Sequence, residues 1–275
     1  MAISASIKAL ISGEQVAGSK LNCKLLDELM AEGLLLVATR GSRKTYRARD
    51  TEALKRYLID KDESYRILEV TVTDSRASLA VETGNSKLLN VRSCPGFPVN
   101  SYEPITCLLR DNVFVVNPPD GSFVFIDDWK HFSVPEDIVV VGIENMENFR
   151  MIRQQRKMFE SLLGGKSLLF VSRYPQSTDL RNWLKSISNK YVHFGDFDMA
   201  GISIYLTEFQ KYLGDRASFL IPSDLEQRLS QGSSVRYNAQ YDKFHTLHCS
   251  DKNIQSLLEL INKYCRCYDQ EGYIQ

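Results

Sequence analysis

From residue 136 to about 215 the hydrophobic pattern switches repeatedly between short continuous apolar runs and helical spacing, and this constrains the fold more than anything else in the chain. Residues 138–143 form a continuous apolar run, as a strand buried on both faces requires. Residues 146–163 then carry apolar positions at helical spacing, and 168–171 form a second buried run. A second helix is predicted over 178–187, a third strand over 191–194 and a third helix over 202–213. Such alternation predicts an α/β fold: a parallel sheet with right-handed crossovers, flanked by helices. One more amphipathic helix is predicted over 253–264.

The preceding residues have another character. Ile3, Ile7, Leu10 and Ile11 share one helical face, and Leu21, Leu25, Leu26, Leu29 and Met30 repeat that spacing up to a stop at Gly33. Residues 34–37 and 45–48, joined by a turn at Gly41-Ser42, read as a hairpin, and a polar helix follows over 50–59. Helices followed by a hairpin in this length have the layout of a winged helix. Residues 63–135 read as strand-rich: 66–73 alternate, 78–82 are short and extended, and 113–116 face 123–126 across Asn117-Pro118-Pro119-Asp120-Gly121. The expected organisation is therefore a winged-helix module (1–62), a strand-rich connecting segment (63–135) and an α/β domain (136–275). Gly164-Gly165-Lys166-Ser167 is read as a turn, because a phosphate loop needs glycine where Glu160 stands and a strand before it.

Lys plus Arg and Asp plus Glu balance at 34 each, so any contact with a polyanion must come from a local patch. Arg40, Arg43, Lys44 and Arg47 crowd around the hairpin turn. They suit phosphate contacts, and equally a charged edge that resists strand pairing. The second helix carries Asp27, Glu28 and Glu32, which disfavours insertion into a DNA major groove. No apolar run approaches the roughly 20 residues needed to cross a bilayer, and the start of the sequence lacks a signal-peptide core. The six scattered cysteines suggest reduced thiols, so the expected location is cytoplasmic, without membrane association. Zinc is disfavoured, since His245, His248, Cys249, Cys265 and Cys267 match no usual ligand spacing.

The chemistry-bearing residues lie at strand ends, where sites in parallel sheets form. Glu144 ends the first predicted parallel strand, and Asp196 and Asp198 follow the third. Carboxylates at i and i+2 of an extended segment point to one side. Three acidic ligands at one edge suit Mg²⁺, with Mn²⁺ as a substitute, because such ions take a few carboxylates plus water and substrate phosphate. The competing expectation is that the aspartates cap a helix. Arg173 falls on the same edge, suited to steadying a phosphate or to lying in solvent, and His193 is expected to be a packing residue.

Glu144-Asn145 after a buried strand, followed by Gly195-Asp196-Phe197-Asp198-Met199-Ala200-Gly201 running into a helix, resembles a Toprim domain. The version is like that of the topoisomerase VI A subunit and of the JetD-type nuclease subunit of Wadjet plasmid-defence systems. The resemblance covers residues 136–215 and is architectural for 1–62. It implies a Toprim-like parallel sheet, Mg²⁺ held by Glu144, Asp196 and Asp198, and cleavage of DNA phosphodiesters. It also implies a homodimer working with an SMC-like or condensin-like ATPase complex against plasmids or phage. Asp269-Gln270-Glu271 echoes the family only weakly. A topoisomerase-like transesterase would need a nucleophilic tyrosine. The second helix has none, and Tyr46 on the hairpin is the nearest candidate. Hydrolysis is therefore favoured, with the transesterase and a non-catalytic DNA-binding or adaptor protein as the alternatives.

Overall fold

In the computed structural model, which describes residues 4–69, 76–83 and 94–274, the chain divides after Ser93 into two units. In the first, capping residues start three of the helices. The Ser4 side chain accepts from the Ile7 amide ahead of α1 (Ala5–Ile11), Asn22 from Leu25 ahead of α2 (Cys23–Ala31), and Asp50 from Glu52 and Ala53 ahead of α3 (Thr51–Lys61). Between them β1 (Val16–Ala17), β2 (Leu35–Arg40) and β3 (Arg43–Ala48) form an antiparallel sheet in the order β1-β3-β2. Gly41, at φ +62°, makes the turn between β2 and β3. Ile7, Leu10, Leu29, Leu35, Leu54 and Leu58 form the core of this unit.

The strands expected at 66–73 and 78–82 are not what forms where the chain is described. Glu63–Glu69 is 3₁₀-helical, α4 spans Arg76–Thr83, and residues 70–75 lie outside the described residues. Leu79 is fully buried while Val81 is 88% exposed, a contrast that a strand, with i and i+2 on one face, does not produce.

The second unit is built on a six-stranded sheet in the order β12-β11-β9-β10-β4-β7. The strands are β4 (Phe97–Ser101), β7 (Val124–Ile126), β9 (Val139–Ile143), β10 (Leu168–Ser172), β11 (Tyr191–Phe194) and β12 (Ala217–Phe219). β12, β11, β9 and β10 are mutually parallel; β4 and β7 add an antiparallel edge, which makes the sheet mixed. A second sheet, β6-β5-β8, comprises β5 (Ile105–Leu109), β6 (Asn112–Val116) and β8 (Phe132–Ser133). The expected hairpin between 113–116 and 123–126 is thus corrected: β6 pairs with β5, and β7 with β4. Pro118 and Pro119 have no amide to give a hairpin ladder, and the loop carries the chain from one sheet to the other.

The helices of this unit are α5 (Met146–Arg150), α6 (Arg156–Leu163), α7 (Ser177–Ser186), α8 (Met199–Ile204), α9 (Lys211–Leu213), α10 (Leu225–Leu229), α11 (Ser234–Phe244) and α12 (Lys252–Tyr264). The single helix expected over 146–163 is broken between α5 and α6. There buried Asn148 and Gln155 bond each other, Asn148 Nδ2 to Gln155 Oε1 and Gln155 Nε2 to the Asn148 carbonyl, both at 2.9 Å. Val140, Val141, Phe170, Val171, Trp183, Phe194 and Ile202 are all buried in one core. Each such side chain contributes roughly 1.5–3 kcal/mol by leaving water. No helix among the described residues is long and apolar enough to cross a membrane.

Candidate functional site

Glu144 and Gly195 leave the carboxyl ends of adjacent parallel strands, β9 and β11, and the Glu144 amide still donates to the Phe194 carbonyl at 3.0 Å. Gly195 is where the site needs the smallest residue. A Cβ there would lie 2.6 Å from Glu144 Oε2 and 2.8 Å from His193 Nε2, so any side chain would push the glutamate out. Glu144 Oε1 lies 3.5 Å from Arg173 Nη1, and Oε2 lies 3.6 Å from His193 Nε2. Oε2 is buried and has no hydrogen-bond partner. Burial pushes the Glu144 carboxyl up, but His193, Arg173 and Arg236 outweigh it and hold the group below its ordinary value. His193 is itself packed at 1% exposure, its Nδ1 2.9 Å from the Tyr191 hydroxyl.

The aspartates face a different set of partners. Asp198 does cap α8, Oδ1 accepting from the Gly201 amide at 2.7 Å. Its Oδ2 accepts from Gln240 Nε2 at 2.8 Å and lies 3.0 Å from Arg236 Nε, so the capping role leaves one oxygen for other work. Asp196 caps nothing; it accepts from the Gln270 amide at 3.0 Å and from Arg236 Nη2 at 2.8 Å. Burial, aided by the charges of Asp198 and Glu144, raises Asp196 to about 6 despite these two donors.

The segment around residue 268 makes this possible. Phe197 and Tyr268 exchange backbone hydrogen bonds, as do Ser233 and Cys267, so the same segment touches the aspartate loop and the start of α11. It brings Arg236 onto both aspartates and onto Asp269, with which Nη1 also pairs. It further places Gln270 and Glu271 against Asn145, whose Nδ2 donates to Glu271 Oε1 at 2.5 Å. Glu271 Oε2 is a second buried carboxylate oxygen without a partner.

Of the residues singled out in the sequence, Glu144, Asp196, Asp198 and Arg173 gather at this edge. Arg40, Arg43, Lys44 and Arg47 lie exposed in the other unit; Arg40, Arg43 and Lys44 flank the β2–β3 turn, with Arg40 opposite Arg43, whereas Arg47, opposite Leu36, lies towards the base of the hairpin. Arg236 and Gln240 carried no motif; for Asp269 and Glu271 the only signal was the weak family echo of Asp269-Gln270-Glu271. Among the described residues no three His, Cys, Asp or Glu side chains are arranged to hold a metal as they stand. Arg236 pairs with both aspartates, while Arg173 and His193 flank Glu144. The donor set nevertheless fits a hard divalent cation, being carboxylate oxygens of which one, Glu144 Oε2, is buried without a hydrogen bond, its nearest polar neighbour His193 Nε2 standing 3.6 Å away.

Residues 118–275, more than half of the chain, match the family described as Domain of unknown function (DUF7281), and the chain belongs to that family. Comparison with curated proteins finds no match.

Proposed function

We propose that this chain is a Mg²⁺-dependent DNA endonuclease whose second unit works as a Toprim-like catalytic domain and whose first unit works as a winged-helix module. One observation carries the reading. Glu144, with a buried oxygen that makes no hydrogen bond, stands at the end of one parallel strand, beside the Asp196–Asp198 pair at the end of its neighbour. Glu144, Asp196 and Asp198 would hold the ion, and bound there it would polarise a phosphodiester oxygen and help activate water. The chain's own residues supply the rest. Arg173, 30% exposed, reaches from Glu144 towards solvent and suits a phosphate oxygen. Gly195 leaves the space that the Glu144 carboxylate fills. The exposed basic tip of the first unit offers sequence-independent phosphate contacts.

Hydrolysis is preferred to a tyrosine transesterase because Tyr46 is only 9% exposed, its ring packed near Gly18. Gly164, in the left-handed conformation, closes α6 rather than cradling phosphate, so any ATP-driven step is assigned to a partner, an SMC-like ATPase complex acting against plasmids or phage. A homodimer belongs to the same reading.

The test is cleavage of supercoiled plasmid by the full chain, with and without a co-purified SMC-like ATPase, in Mg²⁺ or in EDTA. Cutting that requires Mg²⁺ and is lost in Asp196→Asn and Glu144→Gln is the expected result. Cutting that persists in EDTA or in both variants overturns it.

A further inference from the structure

We propose that Arg236 is an internal cation that competes with the divalent metal for Asp196 and Asp198, so that the metal-free site is held shut by its own guanidinium. The inference rests on the metal-site reading above and adds a regulator to it. Three nitrogens of one guanidinium face three different carboxylates: Nε faces Asp198, Nη2 Asp196 and Nη1 Asp269. None of them is given to Glu144, the remaining acid of the strand-end set, whose Oε2 stays buried without a hydrogen bond, 3.6 Å from His193 Nε2. A guanidinium is a planar fork of donors in fixed directions and satisfies only the carboxylates lying in its plane. A metal ion gathers oxygen ligands around a point, and so can take Glu144 together with the aspartates.

Charge and access point the same way. The carboxylates of Glu144, Asp196, Asp198 and Asp269 are met by two guanidiniums, those of Arg173 and Arg236. When Arg236 leaves, the excess of negative charge grows by one, and a divalent ion offsets it better than a monovalent side chain. Arg236 has a way out, for its side chain is 37% exposed while Asp198 beneath it is 1% exposed. Asp269, at 51%, lies on the solvent side and offers the guanidinium a partner once it has released the other two. The backbone need not move: Ser233 caps α11 and is tied to Cys267, so the side chain alone swings.

Mn²⁺ binding, read by electron paramagnetic resonance and calorimetry on the full chain, tests this without any substrate. Arg236→Gln should bind Mn²⁺ at least about tenfold tighter than wild type, and Mg²⁺ should raise its melting temperature more. Arg236→Lys, whose compact ammonium cannot bridge three carboxylates, should fall between the two, and it serves as the test if Arg236→Gln fails to fold. Adding Asp196→Asn to either variant should abolish the gain. Millimolar methylguanidinium should weaken Mn²⁺ binding to Arg236→Gln and leave wild type unchanged, an effect that a merely structural arginine would not give. Arginine variants that bind no tighter than wild type, with Asp196→Asn still weakening the ion, overturn the gate and leave the metal site standing. Mn²⁺ binding absent from every protein, or indifferent to Asp196→Asn, removes the metal site and the gate together.

Discussion

In residues 1–93 the buried positions that are described are hydrophobic, and charge stays at the rim: Lys61 pairs with Glu28 there, while Arg40, Arg43, Lys44 and Arg47 stand exposed. In residues 94–275 the buried set includes Asp198, Asp179, His193, Asn148, Gln155 and Gln270 beside the large apolar core. A rim charge gains little from its partner because water screens it. A buried acid loses its hydration and persists only with several donors around it. The first unit follows the least costly solution, whereas the second departs from it at one sheet edge. Departures of that kind mark sites.

The largest expected break in this contrast comes from Asp198→Ala. It leaves the Gly201 amide, Gln240 Nε2 and Arg236 Nε without their acceptor. Denaturant unfolding should show a loss of about 3–5 kcal/mol, the usual result of stripping one partner from a buried ionic cluster. A loss below about 1 kcal/mol would mean that water enters the site and takes the place of the lost carboxylate.

Asp196 sharpens the contrast with the opposite sign. Its folded value lies near 6 against an ordinary 3.8, so the folded chain holds this proton more readily than the unfolded one. Stability therefore falls as pH rises from about 4 to about 6 and is level above that. Without metal, Asp196→Asn should be more stable than wild type at pH 7.5 by up to about 3 kcal/mol, with the advantage gone by about pH 4. Glu144 runs the other way. Its lowered value contributes stability above the ordinary carboxylate range that is lost as pH falls through the folded value, so Glu144→Gln should destabilise at neutral pH. Melting curves across pH 4–8 separate the two; equal signs for both variants would contradict the partner sets described.

How much of this was legible beforehand follows from which interactions are local. The parallel strands announced themselves because burial on both faces leaves continuous apolar runs, as at 139–143 and 168–172. Glu144 and the aspartates were legible because a strand end fixes where the next residue goes. Arg236 was not: it reaches the site through two backbone bridges, Phe197 with Tyr268 and Ser233 with Cys267, and neither leaves a pattern in sequence. The β6–β7 error has a similar cause. Alternating residues announce a strand but not its partner, and there the partner was chosen by non-local pairing. The break between α5 and α6 depended on Asn148 meeting Gln155, which helical spacing alone does not reveal.

The hairpin tip of the first unit gives a smaller effect, confined to binding. Arg43→Ala and Lys44→Ala, each exposed on β3, should weaken DNA binding a few-fold without changing the melting temperature. Each should reduce the slope of log affinity against log salt by about 1 if it touches a phosphate. Unchanged slopes would move the tip from DNA contact to edge protection.

The smallest effect is the one on which the contrast most depends. Lys61 pairs with Glu28, and Glu28 also accepts from the Tyr57 hydroxyl at 2.8 Å. Like Asp198, Glu28 gathers several donors, two here against three there. Its surroundings differ: the Lys61 and Glu28 side chains are 39% and 33% exposed, so water replaces whichever partner is removed. Lys61→Ala should therefore leave the melting temperature within the scatter of the measurement, at low and at high salt. If Lys61→Ala destabilises as much as Asp198→Ala, it is connectivity and not burial that makes an ionic cluster costly to break, and the division between the two units loses its physical basis.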